Sequence, residues 1–289
     1  MVICTAAAQL LSAFRGKLLV ALLGSYALAL VPGFSIAQAD ESSETSSIKV
    51  LLIGATSRAG GEIIPQAIAM GHEVIGLARR PEEITFTHER FTAVKGDVYD
   101  VGSLEAVLDG VQVVVSMVGP KPILDPANDG DFGPTELVSQ GTANIIQAMK
   151  NKGAKRLIVA SSSLAEIIPV EGPPAADATP YEQYIWAMRT AYQDDRDMEA
   201  IVRVSGLDTV VLRPGFLIDE PAVGNLQVVA TNQGRAKLTP KRTLLTYADF
   251  AAFTVEQVVS NEFIGKTIGM YTDVCPPGSS LQNWGCVNN

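Results

Sequence analysis

From Ile48 onward, short runs of β-branched and other apolar residues alternate with longer stretches in which apolar positions recur every three or four residues. The short runs predict strands at Ile48–Ile53, Glu73–Leu77, Phe91–Val94, Val111–Met117, Arg156–Ala160, Thr209–Leu212 and Thr267–Met270. The longer stretches predict helices at Gly60–Met70, Val101–Leu108, Thr135–Asn151, Tyr181–Val204 and Ala248–Val259. Strands that alternate with helices form βαβ units, so the expected fold class is α/β, a doubly wound parallel sheet covered on both faces. Right-handed crossovers then place a ligand at the carboxyl ends of the strands. The segment from Asp219 to Leu245, which would cap that end, reads only as loop and turn.

The first forty residues follow a different pattern. Arg15 and Lys17 precede an uncharged apolar run from Leu18 to Val31, Pro32-Gly33 breaks it, and Ala37-Gln38-Ala39 follows. These are the three parts of a secretory signal peptide, with cleavage expected after Ala39. The run is shorter than the ~20 residues that span a bilayer, which disfavours a stable membrane anchor. Asp40 to Ser47 is polar and serine-rich. The expected organisation is therefore a signal peptide over 1–39, a flexible lead-in over 40–47, one domain over 48–272 and a tail over 273–289, in an exported chain that is periplasmic or secreted.

Composition changes this picture in two respects. With 47% hydrophobic and 18% charged residues the chain is that of an ordinary globular protein. Loss of residues 1–39 removes two basic residues and no acid, so the formal net charge of −9 becomes more negative still. Such a balance disfavours nucleic acid and anionic lipid as partners. Cys4 lies in the leader, which leaves Cys275 and Cys286 in the tail. An exported chain with two close cysteines suggests one disulfide between them, the alternative being two free thiols. A metal site is disfavoured, because His72 and His88 are both remote from the cysteines in sequence.

The first strand runs straight into Gly54-Ala55-Thr56-Ser57-Arg58-Ala59-Gly60, which opens a helix. In this context a glycine-rich loop binds phosphate, because backbone N–H groups and the helix dipole face the anion. Gly54 permits the tight turn and Gly60 permits close packing of helix on strand. Ser57 stands where a middle glycine is usual, and its hydroxyl can donate to a phosphate oxygen. About twenty residues on, the second strand ends in Arg79-Arg80 rather than in an acid. An acid there would hold the ribose hydroxyls of NAD, whereas arginine accommodates the 2′-phosphate of NADP. Arg58 is placed to reach the same phosphate. NADP(H) is therefore expected over NAD(H), the competing view being a solvated arginine cluster.

With these residues in view the chain resembles the short-chain dehydrogenase/reductase superfamily, in its atypical NmrA-like and flavin/biliverdin-reductase-like branch. The resemblance spans roughly Ile48 to Thr272 and implies a Rossmann-type fold. It lies in Gly54–Gly61, Gly96-Asp97-Val98, Ser116-Met117-Val118-Gly119, Arg156–Ser163 and Ser205–Gly215. By that resemblance Asp97 and Val98 sit beside the adenine, Gly119 beside the cofactor ribose, and Pro214-Gly215 near the nicotinamide.

The resemblance further implies a serine at the end of the fifth strand and, in most branches, a Tyr-x-x-x-Lys on the next helix. The tyrosine protonates the developing alkoxide while the lysine lowers its pKa. Ser163 matches the serine best, with Ser162 second. No Tyr-x-x-x-Lys follows; Tyr192 and Arg196 come nearest, one turn apart, and counting back from Ser205 puts Asp195 at the basic position. On an exposed helix face, Tyr192 and Arg196 would simply pair with neighbouring acids. Tyr181 and Tyr184 are read as pocket lining, His72 and His88 as structural or solvated, and Met188 and Met198 as core. Two functions stay open. One is an NADP(H)-dependent oxidoreductase acting on a small carbonyl, enone or flavin-like acceptor; the other is a noncatalytic NADP(H)-binding sensor or assembly protein.

Overall fold

A computed structural model describes residues 47–119, 135–166, 175–231 and 244–272. The expected signal peptide, most of the lead-in, and the tail with Cys275 and Cys286 lie outside the described residues.

The strands are β1 (Lys49–Ile53), β2 (Glu73–Ala78), β3 (Phe91–Lys95), β4 (Val113–Ser116), β5 (Arg156–Ala160), β6 (Asp208–Pro214), β7 (Phe216–Ile218), β8 (Leu226–Thr231), β9 (Leu244–Thr246) and β10 (Lys266–Thr272). The helices are α1 (Arg58–Ala69), α2 (Val101–Glu105), α3 (Leu137–Lys152), α4 (Pro180–Ala187), α5 (Arg189–Arg203) and α6 (Tyr247–Val259). The strand order is β3-β2-β1-β4-β5-β6-β10-β9-β7, with β8 antiparallel beside β10. Strands β1 to β6 and β10 pair in parallel, as the alternation of elements requires. The order reverses between β1 and β4, and that switch point opens the crevice in which doubly wound sheets bind ligands.

β1 is apolar at nearly every position because both of its faces are covered. Val50 and Leu52 enter a core with Ile63, Ile64 and Ala67 of α1 and Phe250 and Val255 of α6. Leu51 and Ile53 enter the opposite core with Leu104 of α2, Ile145 and Met149 of α3, and Met198 and Val202 of α5. The described residues therefore form three layers, with α1 and α6 on one face of the sheet and α2, α3 and α5 on the other.

Two departures from the sequence expectation bear on the site. The single helix expected over 181–204 is interrupted at Met188, where the Arg189 guanidinium lies 3.8 Å from the centroid of the Trp186 ring and donates to the Trp186 carbonyl at 2.8 Å. The segment expected to be only loop and turn carries β8 and the start of β9, with β7 just before it. β7 and β9 have three residues each, too few to show a period of two; they form because they pair with each other.

His72, just before β2, is fully buried, and among the described residues neither ring nitrogen has a hydrogen-bond partner. Burial lowers its pKa below 6.5. The unfolded chain thus takes up a proton that the fold refuses, and stability falls as pH drops through about 6.5. Urea unfolding at pH 8 and pH 5 checks this: the wild type is expected to lose more stability on acidification than His72→Leu. Equal losses would assign the titration elsewhere.

Candidate active site

The site is built on strand ends. At the end of β1 the chain turns through Gly54 in a left-handed conformation, φ +85°. A Cβ at Gly54 would lie 2.7 Å from the Met117 carbonyl oxygen, and one at Gly60 would lie 2.7 Å from the Gly54 carbonyl oxygen. The loop therefore packs to the limit that glycine permits. Ser57 caps α1, its Oγ accepting the Gly60 N–H at 2.9 Å, and its carbonyl accepts the Gly61 N–H at 2.9 Å. The hydroxyl proton of Ser57 stays available to donate. Among the described residues the N–H groups of Thr56, Arg58 and Ala59 have no backbone partner. Three such donors at the positive end of a helix fit a pyrophosphate.

At the end of β2, Arg79 and Arg80 are both exposed. They are not equivalent. Arg80 Nε is paired with Glu83 at 2.8 Å, whereas Arg79 has no ion pair among the described residues. The Arg58 guanidinium pairs with Asp219, just past β7, and lies 5.8 Å from the centroid of the Tyr247 ring. The cause is the packing of α1 on α6, which brings the start of α6 beside the first residue of α1. Asp97 Oδ1 accepts the Tyr99 N–H at 3.0 Å. Val98 turns its side chain inward against Gly141, and its carbonyl accepts from Asn144 Nδ2 at 2.9 Å. Gly119 is exposed, with open space where a Cβ would stand.

At the opposite end, β5 delivers three serines with three different fates. Ser161 Oγ donates to Glu199 at 2.6 Å. Ser162 Oγ accepts the Leu164 N–H at 3.1 Å. Ser163 begins a short 3₁₀ turn, is 9% exposed, and makes no side-chain hydrogen bond to another described residue. Glu199 of α5 also receives a two-pronged ion pair from Arg213 of β6, at 2.7 and 2.6 Å, with both residues 4% exposed. Pro214 and Gly215 follow directly, and the Gly215 N–H donates to Met270 at 2.8 Å. One buried network thus ties the serine turn, α5 and the end of β6 together.

Tyr192 and Arg196 do not lie on an exposed helix face. Tyr192 is buried in an apolar cluster with Leu164, Ile185 and Met188, against which Tyr184 and Phe216 pack. Arg196 is half-buried, and its guanidinium donates to the Ala165 carbonyl at 3.0 Å, fastening the turn that carries Ser163. Asp194 is buried and accepts the Val138 and Ser139 N–H groups at 2.8 and 2.9 Å, so it caps α3 from a different helix. Asp195 lies beside these groups. Its pKa is pushed up to about 7, first by burial and then by the Glu199 and Asp194 carboxylates, with Arg213 and Arg196 opposing. Sequence reasoning missed Glu199, Arg213 and Asp194 as a buried polar group. The one available signal was Glu199 standing beside Met198 in the apolar stripe of its helix.

Comparison with known proteins is consistent with this geometry. Residues 54–261 match a family of NAD(P)H-binding proteins. The chain is similar to cinnamoyl-CoA reductase 1 of Oryza sativa subsp. japonica, 28% identical over 151 residues that cover 49% of this chain and 43% of the rice protein. It is also similar to a 3-diazoavenalumate denitrifying reductase of a Streptomyces species, 30% identical over 182 residues that cover 59% of this chain and 56% of the relative. The chain thus spans about half the length of these curated relatives. Among solved structures, the anaerobillin reductase ChuY of Escherichia coli O157:H7 superposes with a TM-score of 0.60 at 19% identity, over 80% of this chain and 100% of that one. A short-chain dehydrogenase/reductase from Veillonella parvula DSM 2008, solved with NADP, gives 0.56 at 17% identity over 81% and 96%. At these identities the structural likeness shows the fold.

The raised pKa of Asp195 has a sign opposite to the effect at His72. The folded protein holds this proton more tightly than the unfolded chain, so the carboxylate costs stability as pH rises from 3.8 through about 7. Asp195→Asn is expected to stabilise the protein at pH 8 and to leave its stability near pH 4 unchanged. Thermal melts across that range check it; a variant that is no more stable than wild type at pH 8 contradicts the expectation.

Proposed function

Because the chain belongs to this family of NAD(P)H-binding proteins, we propose that it is an NADP(H)-dependent reductase acting on a small carbonyl, enone or flavin-like acceptor. One observation carries the reading. A loop whose backbone donors have no described backbone partner at the end of β1 and a serine hydroxyl free of other described partners at the end of β5 stand at the same edge of one sheet. When bound, the dinucleotide supplies the hydride. The N–H groups of Thr56, Arg58 and Ala59 with Gly54 and Gly60 hold its pyrophosphate, and Asp97, Val98 and Gly119 border its adenosine half. Pro214-Gly215 borders its nicotinamide half. Ser163 donates a hydrogen bond to the oxygen of the acceptor, and Ser162 is the second candidate. Two named relatives that are reductases support this reading.

NADP(H) is favoured over NAD(H) by Arg79, whose guanidinium is not engaged by a described acid. The NADP found with the Veillonella parvula protein supports the same choice. The competing reading, a noncatalytic NADP(H) binder, is favoured by Asp195, a carboxyl where the resemblance calls for a base. Purified protein that binds NADPH tightly and turns over no carbonyl, enone or flavin would favour that reading.

Two measurements test the proposal. In fluorescence titrations NADPH should bind about ten- to more than a hundredfold more tightly than NADH, the range of a charge-assisted contact to one phosphate. Arg79→Ala should remove most of that ratio, and Arg80→Ala less, because Glu83 already holds Arg80. Equal affinity of the wild type for both cofactors would sink the preference. In turnover, Ser163→Ala should cost about 10²-fold through loss of the polarising hydroxyl, while Tyr192→Phe stays within a few-fold. An inactive Tyr192→Phe beside an active Ser163→Ala would move the proton donor to the tyrosine.

A further inference from the structure

We propose that Tyr99 is a stacking platform for the adenine ring of the dinucleotide, a role that rests on the cofactor reading above. Tyr99 is 56% exposed and is the only exposed Phe, Tyr or Trp among the described side chains. Every other described ring of these three types is at least half-buried, so the position of this one is not explained by core packing.

Its backbone is held on both sides. The Tyr99 N–H donates to Asp97 Oδ1 at 3.0 Å, the Asp97 N–H donates to Ser103 Oγ at 3.0 Å, and the Asp100 N–H donates to the Asp97 carbonyl at 3.0 Å. Asp100 Oδ1 then caps α2 by accepting the Gly102 N–H at 2.9 Å. The backbone that presents this ring to solvent is thus fixed in advance of any ligand.

The place is also right. The Gly96 N–H donates to the Ala78 carbonyl at 3.0 Å, so the turn carrying Tyr99 leaves β3 beside the residue that precedes Arg79. The charged groups that act on the phenol are Asp194, Asp97, Glu136 and Arg79, contributed by α5, the turn after β3, the start of α3 and the end of β2. The Gly96–Ala78 bond sets the turn of Tyr99 by the end of β2, the side that the cofactor reading gives to the adenosine, and Arg79 is the one cation among the charged groups that act on the phenol. A lone ring rimmed by charged residues offers far less apolar surface than a protein partner requires, and it matches the face of a single base. Stacking on it does not depend on the 2′-phosphate, so Tyr99 and Arg79 have separate roles. The ring supports either dinucleotide and the guanidinium selects between them.

The test measures binding of 2′,5′-ADP, NADPH, NADH and nicotinamide mononucleotide to the full-length protein and its variants by calorimetry. Tyr99→Ala and Tyr99→Leu should weaken the first three by the same factor, about tenfold, as loss of one base–aromatic stack implies. They should leave the NADPH/NADH ratio and the mononucleotide affinity as in wild type. Tyr99→Phe and Tyr99→Trp, which keep a ring, should retain tight binding, while Arg79→Ala should weaken only the two ligands with a 2′-phosphate. Wild-type affinity for 2′,5′-ADP in Tyr99→Leu overturns the platform alone. A wild-type protein that binds no dinucleotide overturns the cofactor reading with it.

Discussion

The close approach at the end of β1 is the constraint on which the rest depends. Gly54 and Gly60 each stand where a Cβ would fall 2.7 Å from a backbone oxygen, so β1, β4 and the first turn of α1 meet there at backbone distance. That contact fixes where α1 starts, and α1 packs on α6, which leads through the chain to β10. It also leaves the first N–H groups of α1 without a described backbone partner, at the end where the helix dipole is positive. A side chain at either glycine would push helix and strand apart and would close the loop to an anion.

The other end of the crevice is organised by a different force. Glu199 and Arg213 are both nearly inaccessible, and burying two charges costs several kcal/mol each before their attraction is counted. Their two-pronged geometry and the third bond from Ser161 offset that cost. Such a pair is a weak device for stability, but it has a definite geometric effect. It locks α5, the end of β6 and the serine turn in one arrangement, and Arg196 adds a second tie through the Ala165 carbonyl. The polar cluster also explains Asp195, whose carboxyl shares a poorly hydrated region with two other acids.

Between the two ends, β7 runs from Phe216, which packs against Tyr184 at a centroid distance of 5.5 Å, to the edge of Asp219, the partner of Arg58. This three-residue strand therefore links the apolar wall near Ser163 to the first residue of α1. The Arg58 and Asp219 side chains are 60% and 69% exposed, so their pairing is screened and contributes little to stability. Its significance is positional, since it places a carboxylate beside the loop that the proposed function assigns to a pyrophosphate.

What the sequence determined by itself was local. The pattern of apolar positions located the strands from β1 to β6 as well as β10; apart from the edge strand β3, which has no buried residue, the reason is that a covered strand must be apolar and a covering helix must carry a stripe. The glycine loop was legible for the same reason: Gly54 and Gly60 answer a need of the backbone that no other residue meets. Tertiary structure decided the rest. Which acid holds Arg58, that Arg80 has an acid partner among the described residues while Arg79 has none there, that Tyr192 is buried, and that Glu199 meets Arg213 and Ser161 are all relations between side chains, most of them on different elements. β7 and β9 exist only through pairing, and three residues cannot announce a strand. A side chain's type is written in the chain, but its partner is set by how the layers pack, and most of the chemistry of this site lies in the partners.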